Sequence, residues 1–141
     1  MSARGDLGLL ALRLVLGASF VLHGYTKVMH PTSWLTGILP AAPAWLGAVV
    51  AFVEFGGGIA LIAGFATPVF AFLIACDMAV AILFVHIPHG DVFVNIGRAH
   101  KETFELPLAY LTMALALILL VPGAYSVDTM RPARAGRRRR S

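Results

Sequence analysis

The chain has 141 residues, 59% of them hydrophobic and 13% charged, with a mean hydropathy of +0.84; a soluble domain carries about 45–50% apolar and about 25% charged residues. So little polar surface cannot cover a water-soluble globule, which excludes most soluble folds and predicts an integral membrane protein. At about 20 apolar residues per helical span, the length admits four spans with short connections but not six, and no soluble catalytic domain is expected.

The first apolar segment runs over 7–28. Arg4 precedes it as in a secretory signal, but Arg13 interrupts the apolar run and Ala42-Pro43-Ala44 lies too far downstream to be its cleavage site, so the segment reads as a retained transmembrane helix. Pro31, Gly37, Pro40 and Pro43 mark an irregular loop carrying Trp34 and Trp45, aromatics that favour the membrane interface. A second span is predicted over 44–65. Thr67-Pro68 makes a tight turn, with proline at a helix start, and a third span follows over 67–87. Cys76 lies alone in this span, so no intramolecular disulfide or CxxC redox pair can form. Pro88 to Lys101 forms a polar loop, and the fourth span, 102–121, stops at Pro122-Gly123. Residues 129–141 are expected to be a disordered tail. Its six arginines read as a cytoplasmic anchor for anionic lipid, each contributing about 1 kcal/mol near the surface, rather than as a nucleic-acid contact.

The predicted fold is therefore an all-α membrane four-helix bundle, 1–128, with both termini on one side. Arg4 and the tail supply seven basic residues, against three from Lys27, Arg98 and Lys101 on the other side, so both termini are expected in the cytoplasm.

Charged residues within these spans require partners, since each costs at least about 2.5–3.5 kcal/mol near the bilayer centre. Arg13, Gly17, His23, Gly24 and Lys27 share an arc of roughly 120° on the first helix. Gly47, Ala51, Glu54 and Gly58 align on the second as a small-residue contact face. Glu54 and Asp77 offer two carboxylates to the deep cation Arg13. That set is either a structural ion pair fixing helix register or a proton or ligand relay, and the sequence leaves both open. His23, Lys27, His86, His89, Glu102 and Glu105 form a second group at the outer depth. On an ideal helix His86 lies half a turn from Asp77, so the two share a pocket only if the helix loosens before Pro88. No metal site is expected, because no spacing fixes two ligands on one helical turn. Gly56-Gly57-Gly58 within a span demands close packing or a local break.

The ordered motifs together resemble the DoxX family of small four-helix membrane proteins. They are Leu12-Arg13-Leu14, His23-Gly24-Tyr25-Thr26-Lys27, Val53-Glu54-Phe55-Gly56-Gly57 and Gly64-Phe65-Ala66-Thr67-Pro68, then Val85-His86-Ile87-Pro88-His89-Gly90, Glu105 and the closing stretch from Pro122 to Asp128. The resemblance implies a bacterial inner-membrane protein; relatives are linked to a thiosulfate:quinone oxidoreductase and to membrane oxidoreductase complexes of thiol and oxidative stress. Arg13, His23, Lys27, Glu54 and His86 match the family's polar pattern, whereas the arginine-rich tail does not belong to it.

The leading expectation is a membrane subunit of a quinone-linked oxidoreductase system. It carries no built-in cofactor, so a quinone and redox partner proteins would supply the electron carriers. His23, Lys27, Glu54, His86 and Glu105 are the expected ligand-binding residues, with His23, Glu54 and His86 the candidates for proton transfer. The alternative is a non-catalytic membrane scaffold. A third class, a small proton-coupled exporter, fits the length, but that type carries its essential glutamate in the first span, where this chain has Arg13. Small-residue helix faces also permit a homo-oligomer.

Overall fold

In a computed structural model of the protein, residues 2–97, 102–120 and 122–130 are described. The arginines from 131 onward, together with Arg98 and Lys101 of the charge count, lie outside the described residues. The fold is all-helical: α1 (Ala3–Met29), α2 (Trp34–Ile38), α3 (Ala44–Ala63), α4 (Thr67–Val80), α5 (Glu105–Leu119) and α6 (Val127–Met130). α4 continues directly into a π-helical turn, Ala81–His86. Among the described residues, three segments can cross a membrane by length and composition: α1, α3 and the continuous Thr67–His86 helix. Apolar α5 is shorter, at 15 residues.

The first helix starts earlier than the predicted 7–28 because Ser2 Oγ accepts from Gly5 N at 3.3 Å and caps it. α3 stops at Ala63 rather than 65, since Gly64 takes a left-handed conformation (φ +68) and Phe65 N donates back to Ala60 O at 2.9 Å. α5 begins at Glu105 rather than 102. Val92 N donates to Glu102 O and Phe104 N to Val92 O, which holds 102–104 off the helix. The loop after α1 contains the short α2, whose Leu35 is buried.

α1 and α3 pack backbone to backbone. A Cβ on Gly17 would stand 2.7 Å from Gly58 O, one on Gly58 would stand 2.7 Å from Gly17 O, and one on Gly24 would meet the backbone of Phe55. The glycine run therefore resolves as close packing, not as a break: Gly58 faces α1, Gly57 packs on Phe70 and Ile74 of α4, and the helix is continuous. Leu16, Phe20, Leu61, Ile74 and Leu117 form the centre of the core. Leu22, Phe52, Phe72 and Leu83 point outward, exposed, as lipid-facing side chains do.

One end of the molecule is closed by residues 122–130. Arg13, fully buried, donates through Nη2 to Tyr125 O. Asp128 accepts from Ala66 N at 2.7 Å and Thr67 N at 2.9 Å, capping α4, while Asp128 N donates to Gly64 O. Ala124 N donates to Asp6 Oδ1 at 3.0 Å. The start of α1, the α3–α4 turn and the segment after α5 thus converge at this end.

Candidate functional site

The opposite end carries the polar group. His23 and Lys27 stand one helical turn apart on α1. Lys27 Nζ pairs with Glu54 Oε1 of α3 and lies 4.4 Å from the centre of the Trp34 ring. Trp34 Nε1 donates to Gly47 O at 3.0 Å, so α2 is pinned to α3 and its indole covers the ammonium. Gly47 has to be small here, since a Cβ would stand 2.9 Å from Pro31 O. Glu54 is 1% exposed, and Lys27 is the cation that allows it to be buried.

This corrects the expected Arg13, Glu54 and Asp77 ion set. Arg13 serves the closed end, where Tyr125 O takes its hydrogen bond and Asp128 supplies the attraction, and Lys27 replaces it beside Glu54. The sequence placed Lys27 in the outer group without an assigned partner, and the structure pairs it with α3 through Glu54. Asp77 remains in the cluster, within hydrogen-bonding reach of Glu54. Both are acceptors when ionised, and Glu54 Oε2 and Asp77 Oδ2 have no hydrogen-bond donor among the described residues.

The helix does loosen before Pro88. The π turn over Ala81–His86 lengthens each hydrogen-bonded loop by one residue, which holds back the rotation and brings His86 round toward Asp77, so both line one cavity. His86 Nδ1 is bonded to Asp91 Oδ2 at 2.8 Å, which orients the ring and leaves Nε2 as its remaining polar atom.

Two cavities adjoin this cluster and share Lys27, Glu54, Met78, Ala81 and His86 as a common wall. The smaller, about 200 Å³, adds His23 and the rings of Phe20 and Tyr110, which meet edge to face with centroids 5.5 Å apart. The larger, about 450 Å³, is walled mainly by apolar side chains of α2, α3 and α4 and also reaches Cys76 and Asp77.

Of the five expected ligand-binding residues, His23, Lys27, Glu54 and His86 line the smaller cavity together. Glu105 is exposed at the start of α5 and lines neither cavity. His89 is exposed and bonds Val85 O at 2.5 Å; Glu102 is exposed in the loop. No group of three or more metal-binding side chains occurs among the described residues. Three members of the site were not expected from sequence: Trp34, read there only as an interfacial aromatic, Asp91 and Tyr110. Tyr110 had a signal, being a hydroxyl-bearing ring within an apolar helix.

The family model for DoxX matches residues 8–87, a stretch that contains His23, Lys27, Glu54, Asp77 and His86. Over 118 residues the chain is 31% identical to a protein of Haemophilus influenzae described only as uncharacterized, covering 83% of this chain and 85% of that one. No solved structure matches.

Proposed function

The chain belongs to the DoxX family, and from that premise we propose that it is an inner-membrane subunit of a quinone-linked oxidoreductase system whose smaller cavity receives a quinone headgroup. The observation that carries this reading is the convergence of His23, Lys27, Glu54 and His86 on one cavity of about 200 Å³ that the rings of Phe20 and Tyr110 also line. A quinone ring needs apolar or aromatic faces and donors at its carbonyls. Lys27 and the imidazoles are donors, and the histidines and Glu54 can accept the two protons that leave as a quinol gives up two electrons. Electrons leave to a soluble redox partner, since the chain's own residues supply binding, orientation and proton transfer only.

In this reading α5 is a fourth crossing. Its 15 residues rise about 22 Å against a hydrocarbon core of about 30 Å, and Phe104, Leu120 and Pro122 extend the apolar length. Both termini face the cytoplasm, as the basic residues favour, with the polar cluster at the outer depth. A cysteine at Ser2 in a Cys76→Ala background should resist an impermeant thiol reagent in intact cells while one at Asn95 labels; the reverse pattern inverts the orientation.

The functional test is binding of a short-chain quinone analogue to purified wild-type protein and to folded His23→Ala and Lys27→Ala variants. Saturable binding that weakens in both variants is the expected result. No binding to wild type, or unchanged affinity in both variants, rejects the quinone site and leaves a membrane scaffold as the better reading.

A further inference from the structure

The quinone reading leaves Asp77 and the larger chamber unused. That chamber is apolar along most of its wall, with Ile38, Leu46, Val53 and Leu73 from three helices, and it turns polar where it meets Glu54, Asp77 and His86. Glu54 is 99% buried by its 1% exposure, yet its Oε2, like Asp77 Oδ2, faces no donor among the described residues. Two carboxylates in contact supply acceptors only, so the contact is satisfied by a proton between them or by another donor. Charge gives the same answer. Among the described residues lining the two cavities, Lys27 is the one lysine or arginine beside two acids, enough to neutralise one of them. A long apolar body ending in one positive, hydrogen-bonding head complements that arrangement.

We infer that the larger chamber is a binding site for a lipophilic amine, an alkyl chain ending in a protonated nitrogen, whose ammonium donates to Glu54 Oε2 and Asp77 Oδ2. The ammonium keeps its own protons and takes the place of the one bridging the carboxyls, which leaves to water, so one proton is released for each cation bound. The other titratable groups facing the pair are Lys27 from α1, Cys76 beside Asp77 on α4, and His86 from the π turn, itself bonded to Asp91, with His23 of α1 and Tyr110 of α5 on the side of the smaller cavity; α2 contributes the Trp34 indole and apolar side chains. Protonation of His86 would oppose a cation as well, and the Asp77 variant below separates the two. The inference shares Glu54 with the quinone reading and is told apart from it at Asp77, which lines the larger chamber and not the smaller cavity.

The test uses the full chain in lipid nanodiscs, with radiolabelled dodecylamine and dodecanol and with empty nanodiscs subtracted, between about pH 5 and pH 8, where the amine stays protonated. Saturable amine binding is expected, roughly tenfold or more tighter than the alcohol, strengthening as pH rises and releasing a proton to the medium. Asp77→Asn should weaken it by a similar factor and flatten its pH dependence. Equal affinity for amine and alcohol makes the chamber a plain acyl-chain site and overturns the inference. So does an Asp77→Asn protein that keeps wild-type affinity and pH dependence, or the absence of saturable binding. Should Asp77→Asn not fold, Leu73→Trp fills the chamber and leaves the carboxyls in place; amine binding that survives this change overturns the inference equally.

Discussion

Arg13 and Lys27 are both cations on α1, and they meet opposite surroundings. At the closed end, the polar groups bond mainly to backbone: Arg13 to Tyr125 O, Asp128 to Ala66 N and Thr67 N, Ser126 Oγ to Gly123 O. At the open end they meet side chains, with Lys27 on Glu54, Asp77 against Glu54 and His86 on Asp91, and two cavities beside them. A side chain spent on backbone fixes the path of the chain. One paired with another side chain beside empty space can exchange that partner for a ligand. The same residue types thus divide into a latch and a site according to what they bond.

The largest effect that would break this division is at Arg13. Arg13→Leu removes the partner of Tyr125 O and leaves Asp128 without its cation, and should cost about 3–5 kcal/mol in reversible unfolding in detergent. Adding Glu54→Gln or Asp77→Asn should give no recovery, the losses being additive, whereas Arg13→Leu with Asp128→Asn should be less harmful than the sum of its parts. Recovery with Glu54→Gln would return Arg13 to the carboxylate cluster.

Gly58→Ala tests the frame that holds the two ends in register. Its methyl group meets Gly17 O at 2.7 Å and Val21 N at 2.7 Å, both backbone atoms that cannot swing aside, so a loss of about 1–3 kcal/mol is expected. Gly56→Ala is the control: a Cβ there meets nothing within 4 Å and should be neutral or better within the helix.

Asp128→Ala removes the α4 cap and should cost about 1–2 kcal/mol, without changing quinone-analogue affinity at the far end. A matched loss of affinity would mean that the two ends are not separable. The smallest effect is expected at Ala66, a non-glycine residue at φ +45 held by Asp128. Ala66→Gly relieves that conformation and should raise stability by about 0.5 kcal/mol, the left-handed cost being partly offset by the freer unfolded chain.

Much of the frame was legible because it rests on local rules. Helix positions followed from apolar runs and from Thr67-Pro68, and the α1–α3 contact from small residues at helical spacing. The site was legible as a set of residues out of place in a membrane, and four of its five expected ligand-binding members converge. What periodicity could not give was partnership. Arg13 and Lys27 are equally good cations for Glu54 until the return of residues 122–130 fixes which one is already engaged, and that return is a long-range event with no local signature. The π turn was foreseen only as a condition for His86 and Asp77 to meet. Glu105 was misplaced because the Val92 hydrogen bonds to Glu102 and Phe104 reset the start of α5.

The proposal that the open end receives a quinone headgroup is tested most directly by photolabelling in native membranes with an azidoquinone, followed by mapping of the modified residues. Labelling confined to the lining of the smaller cavity, at His23, Lys27, Ala81, His86 or Tyr110, and suppressed by excess unlabelled quinone, is the expected result. Labelling spread over lipid-facing positions such as Leu22, Phe52 and Leu83, and insensitive to competition, would contradict it.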